Sequence, residues 1–363
     1  MARWLFFLVM ALSITGFVAL LVLNGLAEIG RGLQAVGWLL VAIVGIRLVA
    51  LSCAGIGWRI AFGRTLRILL HGGRTESCPE RLEPRAGQTW RYVGLRCIRE
   101  GINSLLPAAQ VGGDLVGGRL LARLGVPLGL SMASILVDLL LQAATQGVFA
   151  LSGLLALYWL VGNNHLVREL GGGLLLAIPA LGGFFIAQRF GLFVVVERGI
   201  RMVKRLMPGL GLNLPDQPLD LQIWLKKLYA DRWAISWACF VHMLGWSTGV
   251  AEVWIVLHCL GLNGHNPHGE WVRPLILESL GQAVRSAAFA VPGALGIQEG
   301  GFILLGAVFN IPASQAIILS LVKRLPDLAI GIPGLIAWQA MEARFLRQRR
   351  MTPVVPEQPA AGE

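Results

Sequence analysis

Asn103-Ser-Leu-Leu-Pro107-Ala-Ala-Gln110-Val-Gly112-Gly113-Asp114 and Ala290-Val-Pro292-Gly293-Ala-Leu-Gly296-Ile-Gln298-Glu299-Gly300-Gly301 are two copies of one pattern. Pro107 and Pro292 stand 185 positions apart, as do Asp114 and Glu299, and the same offset carries Val126-Pro127 onto Ile311-Pro312 without a gap. Each copy runs from an apolar approach through a proline, small residues and an acid into a proline-led apolar helix. In a bilayer, proline and glycine interrupt the backbone hydrogen-bond ladder, and an ionisable side chain is costly. Both features therefore mark a site more readily than they decorate one. A duplicated element of this kind is the signature of repeat architecture.

Composition sets the surroundings. Of 363 residues, 55% are hydrophobic and only 14% charged, and mean hydropathy is +0.67. This excludes a soluble globular chain and a disordered one, and predicts an all-α polytopic membrane protein. The net charge of +11 does not point to nucleic acid, because the basic residues gather between apolar runs and near the C-terminus, where they set topology. The five cysteines show no CxxC spacing and imply neither a disulfide framework nor a zinc site. His265 and His268 have metal-like spacing, but no carboxylate-rich set accompanies them, and no metal or other cofactor is expected.

Apolar runs long enough to cross a bilayer lie at 4–23, 36–57, 128–161, 170–188, 233–261 and 313–340. Two further stretches, 92–125 and 272–310, are broken midway by the repeated element. Basic residues crowd the segments 59–99 and 189–232 and the tail at Arg344, Arg347, Arg349 and Arg350. The segments 24–35, 162–169 and 262–273 hold only Arg31, Arg168 and Arg273. All three basic segments face the cytoplasm only if each broken stretch enters and leaves on one side. Each is then a hairpin, either re-entrant or made of two short spans. About six full spans plus two hairpins put both termini inside. The hairpins open from opposite faces, which makes inverted repeats of about 36–161 and 233–340. The membrane domain is read as 1–345 and a disordered tail as 346–363. The segment 216–232 reads as an amphipathic helix on the inner leaflet.

Inverted repeats with broken helices are how many secondary transporters build a site near the bilayer midplane; a hairpin that merely packs the bundle is the plainer alternative. The candidate substrate path comprises Asn103, Pro107, Gln110, Gly112, Gly113, Asp114, Arg119, Asp138, Arg285, Pro292, Gly296, Gln298, Glu299, Lys323 and Arg324. Asp138 lies in an unbroken apolar run, and the 185-residue register maps it onto Lys323, beside Arg324. An ion pair across the repeat interface is therefore expected. Asp114 and Glu299 would carry a proton, neutralise a cationic head group, or cap a half-helix. Arg119 suits a lipid phosphate or ordinary anchoring at the cytoplasmic side.

The run Asn103-Ser-Leu-Leu-Pro107-x-x-Gln110-Val-Gly112-Gly113-Asp114, followed by Arg119, resembles the first signature of the hopanoid-associated membrane proteins. That family is similar to the membrane region of lysylphosphatidylglycerol synthases, a flippase-like group. Pro292-Gly293-x-x-Gly296-x-Gln298-Glu299-Gly300 resembles the group's second signature, and the likeness spans about 1–345. The synthases' soluble aminoacyl-transferase domain has no counterpart in these residues. The resemblance implies a non-ATP-driven lipid translocase in a bacterial inner membrane, handling hopanoid or phospholipid, with hopanoid-pathway proteins as possible partners. A non-catalytic scaffold is the alternative. A lipid-modifying enzyme using Asp114, Glu299 or Asp138 is a weaker one, since no nucleophile or metal constellation accompanies them. No catalytic residue is assigned.

Overall fold

The computed structural model describes residues 26–70, 87–106, 112–163, 165–190, 220–262, 270–288 and 291–351, with 15, 18, 19, 22 and 23. The expected first span at 4–23 therefore falls almost wholly outside the described residues. The described elements are α1 (Leu26–Val36), α2 (Leu39–Ala61), α3 (Gly63–Leu70), α4 (Thr89–Leu105), α5 (Gly112–Arg123), α6 (Leu128–Val161) and α7 (His165–Phe190). Then come α8 (Leu221–Ala230), α9 (Arg232–Cys259), α10 (Val272–Ala287), a 3-10 turn at Pro292–Ala294, α11 (Ile297–Ala307) and α12 (Ala313–Met351). The protein is all-α and polytopic. Among the described residues four helices, α2, α6, α7 and α9, are long and apolar enough to cross a membrane. Helix α12 is longer still, at 39 residues, but carries Lys323, Arg324 and Asp327 in its length and runs to Met351, into the stretch read as a tail.

The broken stretches are pairs of short helices. Their members have 17 and 12 residues in α4 and α5, and 16 and 11 in α10 and α11. Each falls short of the about 20 residues a full crossing needs. In each pair the two helices pack on one another, α4 on α5 and α10 on α11. Pro107 and Gln110 lie outside the described residues. The second break is explicit: Gly293 (φ 63), Ala294 (φ 49) and Gly296 (φ 80) all take left-handed backbone. That conformation costs glycine nothing and turns the chain sharply before α11.

Helix α2 packs along α9, α4 along α12, and α10 along α6. Small residues allow these approaches. A Cβ on Gly101 of α4 would come within 2.6 Å of the Gly331 carbonyl of α12, so the two backbones touch as small-residue crossings in membranes do.

The interior is two apolar clusters separated by a charged layer. One cluster gathers Trp58, Phe62, Tyr92, Ile98, Leu120, Leu130 and Leu141. The other gathers Ile43, Leu157, Val253, Ile276, Phe302, Ile317 and Val322. Helices α2, α6 and α9 each feed one cluster from one end and the other from the opposite end. Between those ends lie Arg47 on α2, Asp138 and Gln142 on α6, and His242 and Glu252 on α9. Helix α8 corrects an expectation. It is amphipathic, but Leu221, Trp224, Leu225 and Leu228 bury into the first cluster against α6 and α7 rather than into lipid.

Candidate functional site

Helix α4 places Arg96, Arg99, Glu100, Asn103 and Ser104 at spacings of three and four, which share one helix face. Arg99 is completely buried. Its Nε and Nη2 donate to Asp114 Oδ1 at 2.8 and 2.6 Å, and its Nη1 donates to Asp138 Oδ2 at 2.7 Å. The guanidinium stacks 4.8 Å from the Trp58 ring centroid, a cation–π contact that suits a desolvated arginine. Asn103 Oδ1 accepts the Gly113 N–H at 2.7 Å, and its Nδ2 donates to Asp114 Oδ2 at 3.3 Å. The first signature thus closes a short hairpin around its own acid: Asn103 binds the α5 start, and Arg99 neutralises Asp114. Gln142 Nε2 donates to Asp138 Oδ2 at 2.7 Å, and His242 Nε2 stands 3.2 Å from Asp138 Oδ1.

The second signature closes differently. Glu299 Oε2 accepts the Gly296 N–H at 2.8 Å, which caps α11. Its Oε1 accepts from Ser320 Oγ and from Arg324 Nε, both at 2.8 Å. Arg324 also donates to the carbonyls of Gly293 (2.7 Å) and Ala294 (3.3 Å), tying α12 to the turn. Gln298 Nε2 donates to Ser320 Oγ at 3.0 Å. Of the three roles open to Glu299, capping and charge pairing are the ones its contacts fill.

The expected pair of Asp138 with Lys323 or Arg324 is not formed. Asp138 pairs with Arg99; Lys323 pairs with Glu252 at 3.0 Å and Glu278 at 2.6 Å; Arg324 pairs with Glu299. Each charge finds its counter-ion on a helix packed directly beside its own. The register equivalence says nothing about which side chain is nearest. Arg285 pairs with Asp327 at 2.8 Å. Arg119 and Arg123 meet Glu342 of α12 at 3.1 and 2.6 Å, so Arg119 is engaged within the protein.

Between these pairs lies a cleft of about 220 Å³. It is walled by α2 (Arg47, Ala50), α4 (Arg96, Glu100, Asn103, Ser104), α6 (Gln142), α9 (His242, Trp246) and α10 (Glu278, Gln282, Arg285, Ser286), with Asp114 of α5 reaching in. Of the sequence candidates, it gathers Asn103, Asp114 and Arg285. Gly296, Gln298, Glu299, Lys323 and Arg324 serve the helix contacts around it. Arg47 is the residue the sequence reading missed. Its guanidinium stays at 3.8 Å from both Glu252 and Asp327, and its Nε and Nη2 make no hydrogen bond among the described residues. Arg96 Nε is likewise unspent, although Arg96 pairs with Glu100 at 3.2 Å. Two buried cations with idle donors line one cavity.

The chain belongs to the Lysylphosphatidylglycerol synthase TM region family, whose model matches residues 6–334. No curated protein and no solved structure matches it. It is therefore a multi-pass membrane protein of a lipid-related family.

Proposed function

We propose that this protein is a non-ATP-driven lipid translocase, with the charged layer as the path of the polar head group. The observation that carries the reading is the cleft: a cavity rich in hydrogen-bonding groups, set between two apolar clusters, with unspent donors on Arg47 and Arg96. A head group crossing a bilayer loses its water, and a site of this kind replaces the lost hydrogen bonds. Idle guanidinium donors suit acceptor oxygens, above all those of a phosphate. A phospholipid therefore fits better than a hopanoid with an uncharged head, while hopanoid handling rests on the signature resemblance alone. In this reading the chain performs no chemistry on the lipid.

The basic segments further support both termini on the cytoplasmic side of a bacterial inner membrane and two hairpins in inverted repeats. The contacts are compatible with that arrangement: α4 packs on α12 and α10 on α6, an exchange of partners between the two proposed repeats.

The test is reconstitution into liposomes containing head-group-labelled lipids, read by reduction of the outer-leaflet label. Wild-type protein is expected to expose inner-leaflet phospholipid faster than protein-free vesicles, and Arg47→Gln to slow this at least several-fold. Equal rates for wild type and empty vesicles across the lipids tried would refute the reading.

A further inference from the structure

The charged layer is one positive charge short, and the deficit has an address. Its cations are Arg47, Arg96, Arg99, Arg285, Lys323 and Arg324. Its carboxylates are Glu100, Asp114, Asp138, Glu252, Glu278, Glu299 and Asp327, so six face seven. Glu299 and Arg324 balance, as do Arg96 and Glu100. Arg47, Arg285 and Lys323 balance Glu252, Glu278 and Asp327. What remains is Arg99 alone against both Asp114 and Asp138. An uncompensated charge buried between apolar clusters is expensive, and the usual remedy is a proton.

One titratable group stands where a proton would cancel it. His242 is 3% exposed and points Nε2 at Asp138 Oδ1, the oxygen that Arg99 and Gln142 do not use. Neither atom makes another hydrogen bond among the described residues. The ring is held against α2, where a Cβ on Gly57 would come within 2.9 Å of Nε2. The other charges facing it are those of the cleft it lines: Arg47 from α2, Arg96 and Glu100 from α4, Asp114 from α5, and Glu278 and Arg285 from α10. Among themselves these side chains and their partners cancel, save for the carboxylate at Asp138.

We infer that His242 and Asp138 form a proton-binding site that opens on the cleft. A proton taken from water in the cleft makes the imidazolium, whose Nε2–H donates to Asp138 Oδ1, and the layer becomes neutral. Because the site and the cleft share a wall, whatever fills the cleft and the proton must alter each other's binding equally. That coupling rests on the head-group reading; the proton site does not.

The sign of a pH effect separates this from an ordinary buried histidine. A histidine buried in its neutral form makes the fold weaker in acid. Here the folded state gains a proton, so wild type is expected to be most stable relative to His242→Gln at pH 5.5 and to lose that advantage towards pH 8. Melting of the full chain in detergent reads this, with a gap of several degrees at pH 5.5 that disappears in the Asp138→Asn background. A gap that shrinks or reverses in acid would overturn the site. Should His242→Gln not fold, a chain keeping His242 as its sole histidine serves instead. Infrared spectra between pH 8 and 5.5 should show an imidazolium forming while Asp138 stays ionised. A ring still neutral at pH 5.5 overturns the proposal. If these results hold while lipid translocation fails, the transport reading falls and the proton site stands.

Discussion

Arg99 is the residue on which the charged layer turns, since it alone neutralises Asp114 and holds one oxygen of Asp138. Removing one member of a buried ion set costs about 3–5 kcal/mol, because the partner is left uncompensated. Arg99→Gln is expected to fall in that range. In a double-mutant cycle read by thermal stability, Arg99→Gln and Asp138→Asn should couple by about 1–3 kcal/mol, while Asp138→Asn and Lys323→Gln, which share no partner, should add to within about 0.5 kcal/mol. Coupling to Lys323 in place of Arg99 would restore the cross-repeat pair. The sequence held the signal for the observed pairing. Arg96, Arg99, Glu100 and Asn103 repeat at helical spacing just ahead of the first signature. Treating 59–99 as one basic segment turned buried helix residues into apparent topology determinants. Arg47 escaped because a lone arginine in an apolar run is indistinguishable, without coordinates, from one that snorkels.

Among the elements, the long apolar helices were legible because twenty apolar residues leave the backbone few options in lipid. The α8 face was half legible: its amphipathicity shows in Trp224, Leu225 and Leu228, but which apolar surface receives it depends on α6 and α7, far away in the chain. The close crossing of α4 and α12 has a sharp consequence. Gly101→Leu must push the Gly331 backbone away, and overpacking of this kind costs about 1–3 kcal/mol; thermal stability in detergent should fall accordingly, with no effect expected from the same change at Gly172, where a Cβ meets nothing. At the start of α9, Asp231 accepts the Ala234 N–H at 3.2 Å and the Arg64 N–H at 2.9 Å. Desolvation favours the neutral acid, but those two N–H groups and the Arg64 and Arg67 cations outweigh it and hold the carboxyl below its ordinary range. A carboxyl depressed in the fold stabilises above its unfolded value of about 3.9, and loses that contribution as pH falls through the folded value. Asp231→Ala should cost about 0.5–2 kcal/mol at neutral pH, and the gap to wild type should close as pH drops below about 4.

For the whole molecule, the duplicated signature and the distribution of basic residues foretold the broken helices, while the site itself lay in residues that the two signatures do not contain. Cysteines placed at Asn164 and Gly264 are expected to react with an impermeant reagent from outside intact cells; protection of both would contradict the proposed topology. The central claim, that a lipid head group passes through the charged layer, is tested most directly by filling the cleft without touching its charges. Ala50 lines that cavity from α2 and pairs with no ion. Ala50→Trp, reconstituted as folded protein beside wild type in the leaflet-specific lipid assay, should bring translocation down to the rate of empty vesicles. Translocation at the wild-type rate with the cleft filled would place the path elsewhere and contradict the account.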